Sequence, residues 1–174
     1  MSIDGMKLNS RHRAAAMKFF ADFMHGPLQA KLKVYASRNV RMGSAVTPSD
    51  WEVFASLLTG RKGNGGVSGV DLGTVEVKSA FKGGSFEYQY HKDTGLSKLA
   101  NDMKSGHLFV VHANFLNNVE VWFVEGKQAK DNYFSKWLAN YPNPYPQRYR
   151  RSIPFGWVKR NGKKLLVLEN GKMA

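Results

Sequence analysis

Cysteine is missing from this 174-residue chain, which excludes disulfides and thiolate zinc sites and fits a reducing compartment. Apolar runs are short, and none approaches the length that a membrane-spanning helix needs. The opening residues lack the charged, apolar and small-residue succession of a secretory signal, and Asp4 speaks against a transit peptide. A soluble, cytoplasmic protein with no membrane partner is therefore expected. Acidic residues are the other scarcity: thirteen Asp and Glu face twenty-six Lys and Arg, for a formal charge of +13. Such an excess costs self-repulsion in a compact state, and a polyanionic partner relieves it. Core material is plentiful. Hydrophobic residues make up 43% of the chain and aromatic residues 13%, enough for one ordinary domain and too much for a disordered tail.

The first sixty residues carry helical periodicity. Ser10 is a candidate cap for a helix with Ala16, Phe19, Phe20, Phe23 and Met24 at helical spacing, ended by Gly26-Pro27. Pro27 suits the first turn of a second helix holding Leu28, Leu32 and Tyr35. Thr47-Pro48-Ser49-Asp50 combines a cap, an early proline and a capping-box acid ahead of the stripe Trp51, Phe54, Ala55 and Leu58. Past the basic, glycine-rich loop from Arg61 to Gly69 the period becomes two. Val75 and Val77 alternate with Glu76 and Lys78; beyond Lys82-Gly83-Gly84, Phe86, Tyr88 and Tyr90 alternate with Glu87, Gln89 and His91. This spacing predicts two paired strands joined by a glycine turn.

A short helix with Leu96, Leu99, Ala100 and Met103 follows, capped by Asp93 or Thr94. Strands over 107–115 and 119–124 come next, then a helix over 127–141 with Phe134, Trp137, Leu138 and Tyr141 on one face. The prolines from Pro142 to Pro146 end that helix. The chain closes with Arg148-Tyr149-Arg150-Arg151 and a hairpin, Phe155–Lys159 and Lys164–Glu169, turning through Asn161-Gly162. The expected architecture is a single α/β (α+β) domain over 1–174. It has a helical part (1–60), a catalytic core with a central mixed sheet flanked by helices (67–141), and a basic C-terminal hairpin (142–174).

The segment from Gly69 to Ser79 carries the chemistry. Strand alternation puts Glu76 and Lys78 on one face and sends Val75 and Val77 into the core. Asp71 lies in a glycine-flanked bend that can bring its carboxylate beside Glu76. Two carboxylates that close repel each other unless a divalent cation sits between them. Mg²⁺ suits this supply of one or two carboxylates, a backbone carbonyl, water and a phosphate oxygen. The chemistry that follows is phosphodiester hydrolysis. A metal-polarised phosphoryl group meets an acidified water, with Lys78 orienting that water or stabilising the charge that develops.

The run Asp71…Glu76-Val77-Lys78-Ser79 resembles the signature of the PD-(D/E)XK nucleases, with Val70 in place of the usual proline. The pattern extends from about Thr47 to Val124. The resemblance implies a restriction-endonuclease-like core in which Asp71, Glu76 and the Val77 carbonyl bind Mg²⁺, with Mn²⁺ as a substitute, and Lys78 assists catalysis. Some members of that family place a further carboxylate near the metal on the preceding helix, which makes Glu52 a candidate for that place beside its plainer reading as a solvent-facing helix glutamate. The expected activity is that of a type II restriction enzyme acting on double-stranded DNA, of prokaryotic or phage origin, with a homodimer for a symmetric target. A repair, recombination or phage nuclease of the same superfamily stays open. So does a non-catalytic basic nucleic-acid-binding protein in which the three charges form a surface cluster.

Glu87, Gln89 and His91 share one strand face and are candidates to line the cleft. His107 and His112 lack partners at zinc spacing, Asn114 does not complete an HNH motif with them, and both histidines are read as structural. The loop from Arg61 to Gly69 lacks the Gly-Lys-Ser/Thr end of a P-loop. The stretch from Tyr145 to Lys164 interleaves Arg148, Arg150, Arg151, Lys159, Arg160, Lys163 and Lys164 with aromatic residues, as a DNA-contacting surface would. Arg11, Arg13, Lys31, Lys33, Arg38 and Arg41 offer a second basic footprint.

Overall fold

The computed structural model describes residues 8–42, 46–63, 65, 70–144 and 146–174. Asp4, Tyr145 and much of the glycine-rich loop (Asn64 and 66–69) lie outside the described residues. The chain opens with α1 (Ser10–Phe19), a π-helical turn (Phe20–His25) and α2 (Gly26–Ser37). Asn9, rather than Ser10, is the cap: its side chain accepts from the His12 N–H at 2.8 Å. Gly26-Pro27 does not end the helix as expected. Pro27 has no N–H to donate and its ring crowds the preceding turn, and the wider π turn absorbs both problems. Gly26 is needed there, because a Cβ would lie 2.5 Å from the Ala21 carbonyl oxygen.

Helix α3 (Pro48–Thr59) forms as its sequence signals dictate. Thr47 Oγ1 accepts from the Asp50 N–H at 3.3 Å, and Asp50 Oδ2 accepts from the Thr47 N–H at 2.7 Å. Trp51, Phe54, Ala55 and Leu58 are all buried, and Gly60 closes the helix with a left-handed φ of 69°.

The remaining elements are β1 (Val75–Phe81), β2 (Ser85–His91), α4 (Gly95–Asp102), β3 (Gly106–Ala113) and β4 (Asn118–Val124), then α5 (Gly126–Ala129), a second π turn (Lys130–Phe134), α6 (Ser135–Ala139), β5 (Arg148–Pro154), α7 (Phe155–Asn161), β6 (Lys163–Glu169) and β7 (Lys172–Met173). The main sheet is five-stranded and mixed, in the order β1-β3-β4-β6-β7, with β1 parallel to β3 and the other pairs antiparallel. Helix α4 makes the crossover that a parallel pair requires. One face of this sheet packs Val75, Val77, Leu108, Val110 and Phe123 against Phe20, Trp51, Phe54 and Leu58 of the N-terminal helices. The opposite face packs Phe109, Val111, Trp122 and Val124 under a two-stranded ribbon, β2-β5, and the helices from α4 to α7.

Two expectations are corrected here. The glycine turn after β1 exists, with Gly83 at φ 89°, but β2 does not pair with β1; it pairs with β5 in the covering ribbon. Turn chemistry acts locally and is worth about 1 kcal/mol. Phe86, Tyr88 and Tyr90 are each 0% exposed, and each contributes roughly 1.5–3 kcal/mol by burial. Their burial decides where β2 lies: over the sheet, not beside it. The second correction concerns residues 155–169. Phe155–Asn161 is a helix, not a strand. A strand would split Phe155 and Val158 between two faces, whereas a helix turns both to the buried side, with the Phe155 ring beside Phe86 and Trp122. Asn161-Gly162 ends this helix, with Asn161 Nδ2 donating to the Trp157 carbonyl at 2.9 Å. A C-terminal hairpin is present one element later, between β6 and β7, turning through Asn170 (φ 50°) and Gly171 (φ 74°).

Candidate active site

β1 is the open edge of the main sheet. Its even-numbered neighbourhood is tied to β3, as when the Gly106 N–H donates to the Thr74 carbonyl at 3.0 Å. The odd-numbered residues turn their backbone groups outward, away from β3. The Leu72 N–H donates to the Val75 carbonyl at 2.9 Å, and the Val77 N–H donates to Asp71 Oδ2 at 2.8 Å. A strand residue sends its N–H and C=O to the same side, so the Val77 carbonyl leaves β1 on the Asp71 side.

The four residues between Asp71 and Glu76 leave no room for a regular hairpin, and the chain uses a tight turn instead. Gly73 takes φ 72°, the Thr74 N–H donates to the Leu72 carbonyl at 2.8 Å, and Leu72 is buried in the core. That turn folds Asp71 back along the edge of β1. Arg61, from the end of α3, braces it by donating from Nη1 to Thr74 Oγ1 at 3.1 Å.

Glu76 and Lys78 project from the face of β1 that lies under the ribbon and α4. Glu76 is 1% exposed, and its Oε1 receives two ammonium groups, Lys78 Nζ at 2.5 Å and Lys98 Nζ at 2.8 Å. Its Oε2 is buried with no hydrogen-bond partner among the described residues. Burial pushes the Glu76 carboxyl up, but the two ammoniums outweigh it and hold the group below its usual range. Asp71 is pushed up to about 6 by burial and by the Glu76 charge, with Lys78 and the Val77 N–H opposing and Glu52 adding repulsion. Glu52 is half-buried on α3, close enough to Asp71 to add the smallest of these effects.

The structure thus brings Asp71, Glu76 and Lys78 together, with Glu52 nearby. Among the described residues no three His, Cys, Asp or Glu side chains converge as a ready-made metal cage. The three-residue set of two carboxylates and a carbonyl is what remains.

Glu87, Gln89 and His91 do not line this cleft, contrary to expectation. Phe86, Tyr88 and Tyr90 occupy the inward face of β2, so the three polar residues fall on its exposed outer face, opposite Ser152, Arg150 and Arg148. In their place the inward face supplies Tyr88, whose ring lies 5.2 Å from Lys78 Nζ. Sequence reasoning missed Lys98 and Asp102 on α4. Lys98 also reaches Asp102 Oδ1 at 3.4 Å. Asp102 is 0% exposed, and its Oδ2 accepts from the Tyr90 hydroxyl at 3.0 Å. One signal was readable: Asp102 follows Leu99 by three positions, on the apolar side of its own helix.

His107, opposite Glu76 in the ladder, is fully buried. Its Nδ1 meets the Tyr88 hydroxyl at 2.9 Å and its Nε2 the Asp102 carbonyl at 3.0 Å. His112 is half-buried, with its ring 5.3 Å from that of Trp51.

The basic residues are dispersed. Arg148 and Arg150 stand exposed on the outer ribbon face, with Arg150 3.9 Å from Glu87. Arg151 leaves β5 on the opposite face, donates from Nε to the Tyr149 hydroxyl at 2.8 Å and lies 4.4 Å over that ring. Lys159 and Arg160 are exposed in the last turn of α7. No helix among the described residues is long and apolar enough to cross a membrane. No family model matches the chain, and no curated protein matches it.

Proposed function

We propose that this protein is a Mg²⁺-dependent endonuclease of the PD-(D/E)XK type that hydrolyses phosphodiester bonds in duplex DNA, in the manner of a type II restriction enzyme. The observation that carries the reading is the bare Oε2 of a fully buried Glu76 beside an Asp71 carboxylate folded onto the same strand. A buried acceptor without a partner is costly, and a cation held between the two carboxylates offsets that cost and their mutual repulsion. The donor set fits Mg²⁺, which takes one or two carboxylates and keeps several waters. Asp71, Glu76 and the Val77 carbonyl would hold it. The ion supplies Lewis acidity toward the phosphate and an acidified water. Lys78 would donate a hydrogen bond from its ammonium to the attacking water or to a non-bridging oxygen, and stabilise charge that grows in the transition state. Arg61 and Lys62, next to the Asp71 turn, together with Arg148 and Arg150 of β5 and Lys159 and Arg160 of α7, meet the DNA backbone.

Cleavage of supercoiled plasmid with Mg²⁺ against EDTA is the test. Asp71→Asn and Glu76→Ala should each abolish cutting while DNA binding persists, because both remove metal ligands and neither removes a phosphate contact. Cutting that survives EDTA, or survives either substitution, sinks the assignment. A second reading is favoured by one observation: Lys78 and Lys98 already neutralise Glu76. The protein would then bind nucleic acid without cutting it, and Mg²⁺ would change nothing in the same assay.

A further inference from the structure

Two lysines converge on one oxygen of Glu76 and are anchored differently. Lys98 is held between two acids, Glu76 Oε1 at 2.8 Å and Asp102 Oδ1 at 3.4 Å, the second one turn further along its own helix. Asp102 is fixed in turn by the Tyr90 hydroxyl, and its backbone carbonyl by His107 Nε2. His107 is held from its other side by Tyr88. Every member of this chain beyond Lys98 is buried, and Leu99 beside it is 0% exposed. Lys78 is tied down far less. Its one ion pair among the described residues is with Glu76, its charge acts on Asp71 and Asp102 only from further off, and its other contact is the face of the Tyr88 ring. Moving Lys78 off Glu76 breaks one ion pair and leaves the carboxylate still paired. Moving Lys98 breaks two: Glu76 keeps only Lys78, and the fully buried Asp102 loses its one ion pair among the described residues, which is strongly unfavourable.

We infer that Lys98, braced by Asp102, is a positioning residue: it fixes the Glu76 carboxylate with Oε2 free for the cation, and so releases Lys78 to move from Glu76 to the reacting phosphate. The inference rests on the nuclease reading above. It divides the two ammoniums into a fixed one that orients a metal ligand and a mobile one that acts in the chemical step. Groups that orient metal ligands typically govern metal affinity by about 10–100-fold.

The sign of the effect separates positioning from simple electrostatics. Removing a cation beside a metal site raises metal affinity by Coulomb's law alone. A fall in affinity on losing Lys98 therefore reports lost orientation. The experiment is isothermal titration of the intact, DNA-free protein with Mn²⁺, alongside single-turnover cleavage at saturating Mn²⁺ and thermal melting. Lys98→Met should weaken Mn²⁺ binding by about tenfold or more, and Lys98→Arg should restore it to within about threefold of the parent. Lys78→Met should bind Mn²⁺ at least as tightly as the parent, yet cut about a hundredfold slower.

Lys98→Gln, which keeps a donor for both acids, replaces Lys98→Met if that variant does not fold. A folded neutral variant at position 98 that binds Mn²⁺ as tightly as the parent overturns the positioning role. If neither neutral variant folds, Lys78→Met decides: a loss of Mn²⁺ affinity there would give the orienting role to Lys78 and overturn the division. Failure of the underlying reading looks different, because the parent itself would then neither bind Mn²⁺ nor cut.

Discussion

Asp102 and His107 are buried as neighbours and titrate in opposite senses. Burial pushes the Asp102 carboxyl up to about 6, helped by the Glu76 charge and opposed by Lys98, Lys78 and the Tyr90 hydroxyl. Burial pushes His107 down to about 4. An acid whose pKa is raised on folding favours the native state while protonated, so the Asp102 contribution is lost as pH rises from about 4 to about 6. A histidine whose pKa is lowered favours the native state while neutral, so the His107 contribution is lost as pH falls from 6.5 toward 4. Each is worth roughly 3 kcal/mol across its window, and over most of that range the two slopes oppose. His107→Gln keeps hydrogen-bonding capacity and removes one of them. Its stability relative to the parent should improve by about 2–3 kcal/mol between pH 7 and pH 4.5, read from urea midpoints. Parallel curves for the two proteins would mean that His107 is protonated without penalty. The same neighbourhood shows where residue-level reading stops. Glu76 and Lys78 were legible because a period of two places them on one face. Lys98 and Asp102 were not, because their spacing shows only that they face each other on a helix. Nothing local says that this helix packs over β1.

Helices and strands differed in the same way. The capping box at Thr47 and Asp50 is complete within four residues, and α3 starts and buries its stripe as written. The pairing of β2 was illegible because its partner, β5, lies beyond two further strands and three helices. The Asn-Gly pairs at 161 and 170 carry one local signal and reach two outcomes, a helix end at Asn161 and a hairpin turn at Asn170, decided by whether the flanking apolar residues suit a helix or a strand. The junction of α1 and α2 offers a test of an element feature that the sequence hides. In an ordinary helix Gly→Ala is stabilising by about 1 kcal/mol. At Gly26 the new Cβ meets the Ala21 carbonyl oxygen at 2.5 Å, and backbone of a continuous helix cannot withdraw cheaply. Gly26→Ala should therefore lower the melting temperature, at a net cost of about 1–3 kcal/mol. A variant that melts at or above the parental temperature would show that Phe20–His25 relaxes to a regular α-turn and that the π turn owes nothing to this glycine.

The molecule as a whole pairs a buried acidic site with a surface dominated by uncompensated cations, at +13 overall. On the proposed nuclease reading the acids would serve the metal and the cations the phosphates, so the position of the cations predicts where DNA would lie. The expectation of one continuous arginine cluster does not survive the ribbon geometry, since strand alternation sends Arg150 and Arg151 to opposite faces. Arg148 and Arg150 share the exposed face with Gln89 and His91. Arg151 is engaged with Tyr149, a residue 5% exposed whose hydroxyl reaches the Trp137 carbonyl at 3.3 Å. The proposed phosphate contact and the internal bracing thus fall to adjacent residues, and they separate experimentally. Binding of a short duplex, without divalent metal, should be measured as a function of salt for each variant. Arg148→Ala with Arg150→Ala should weaken binding and lower the slope of log affinity against log salt by about two, because each lost phosphate contact removes about one counterion. Arg151→Ala should leave that slope in place and instead lower the melting temperature, because it takes a guanidinium off a buried tyrosine. If the slope falls with Arg151 and holds with Arg148 and Arg150, the duplex approaches from the inner side of the ribbon, and the outer face with Glu87, Gln89 and His91 is ordinary solvated surface.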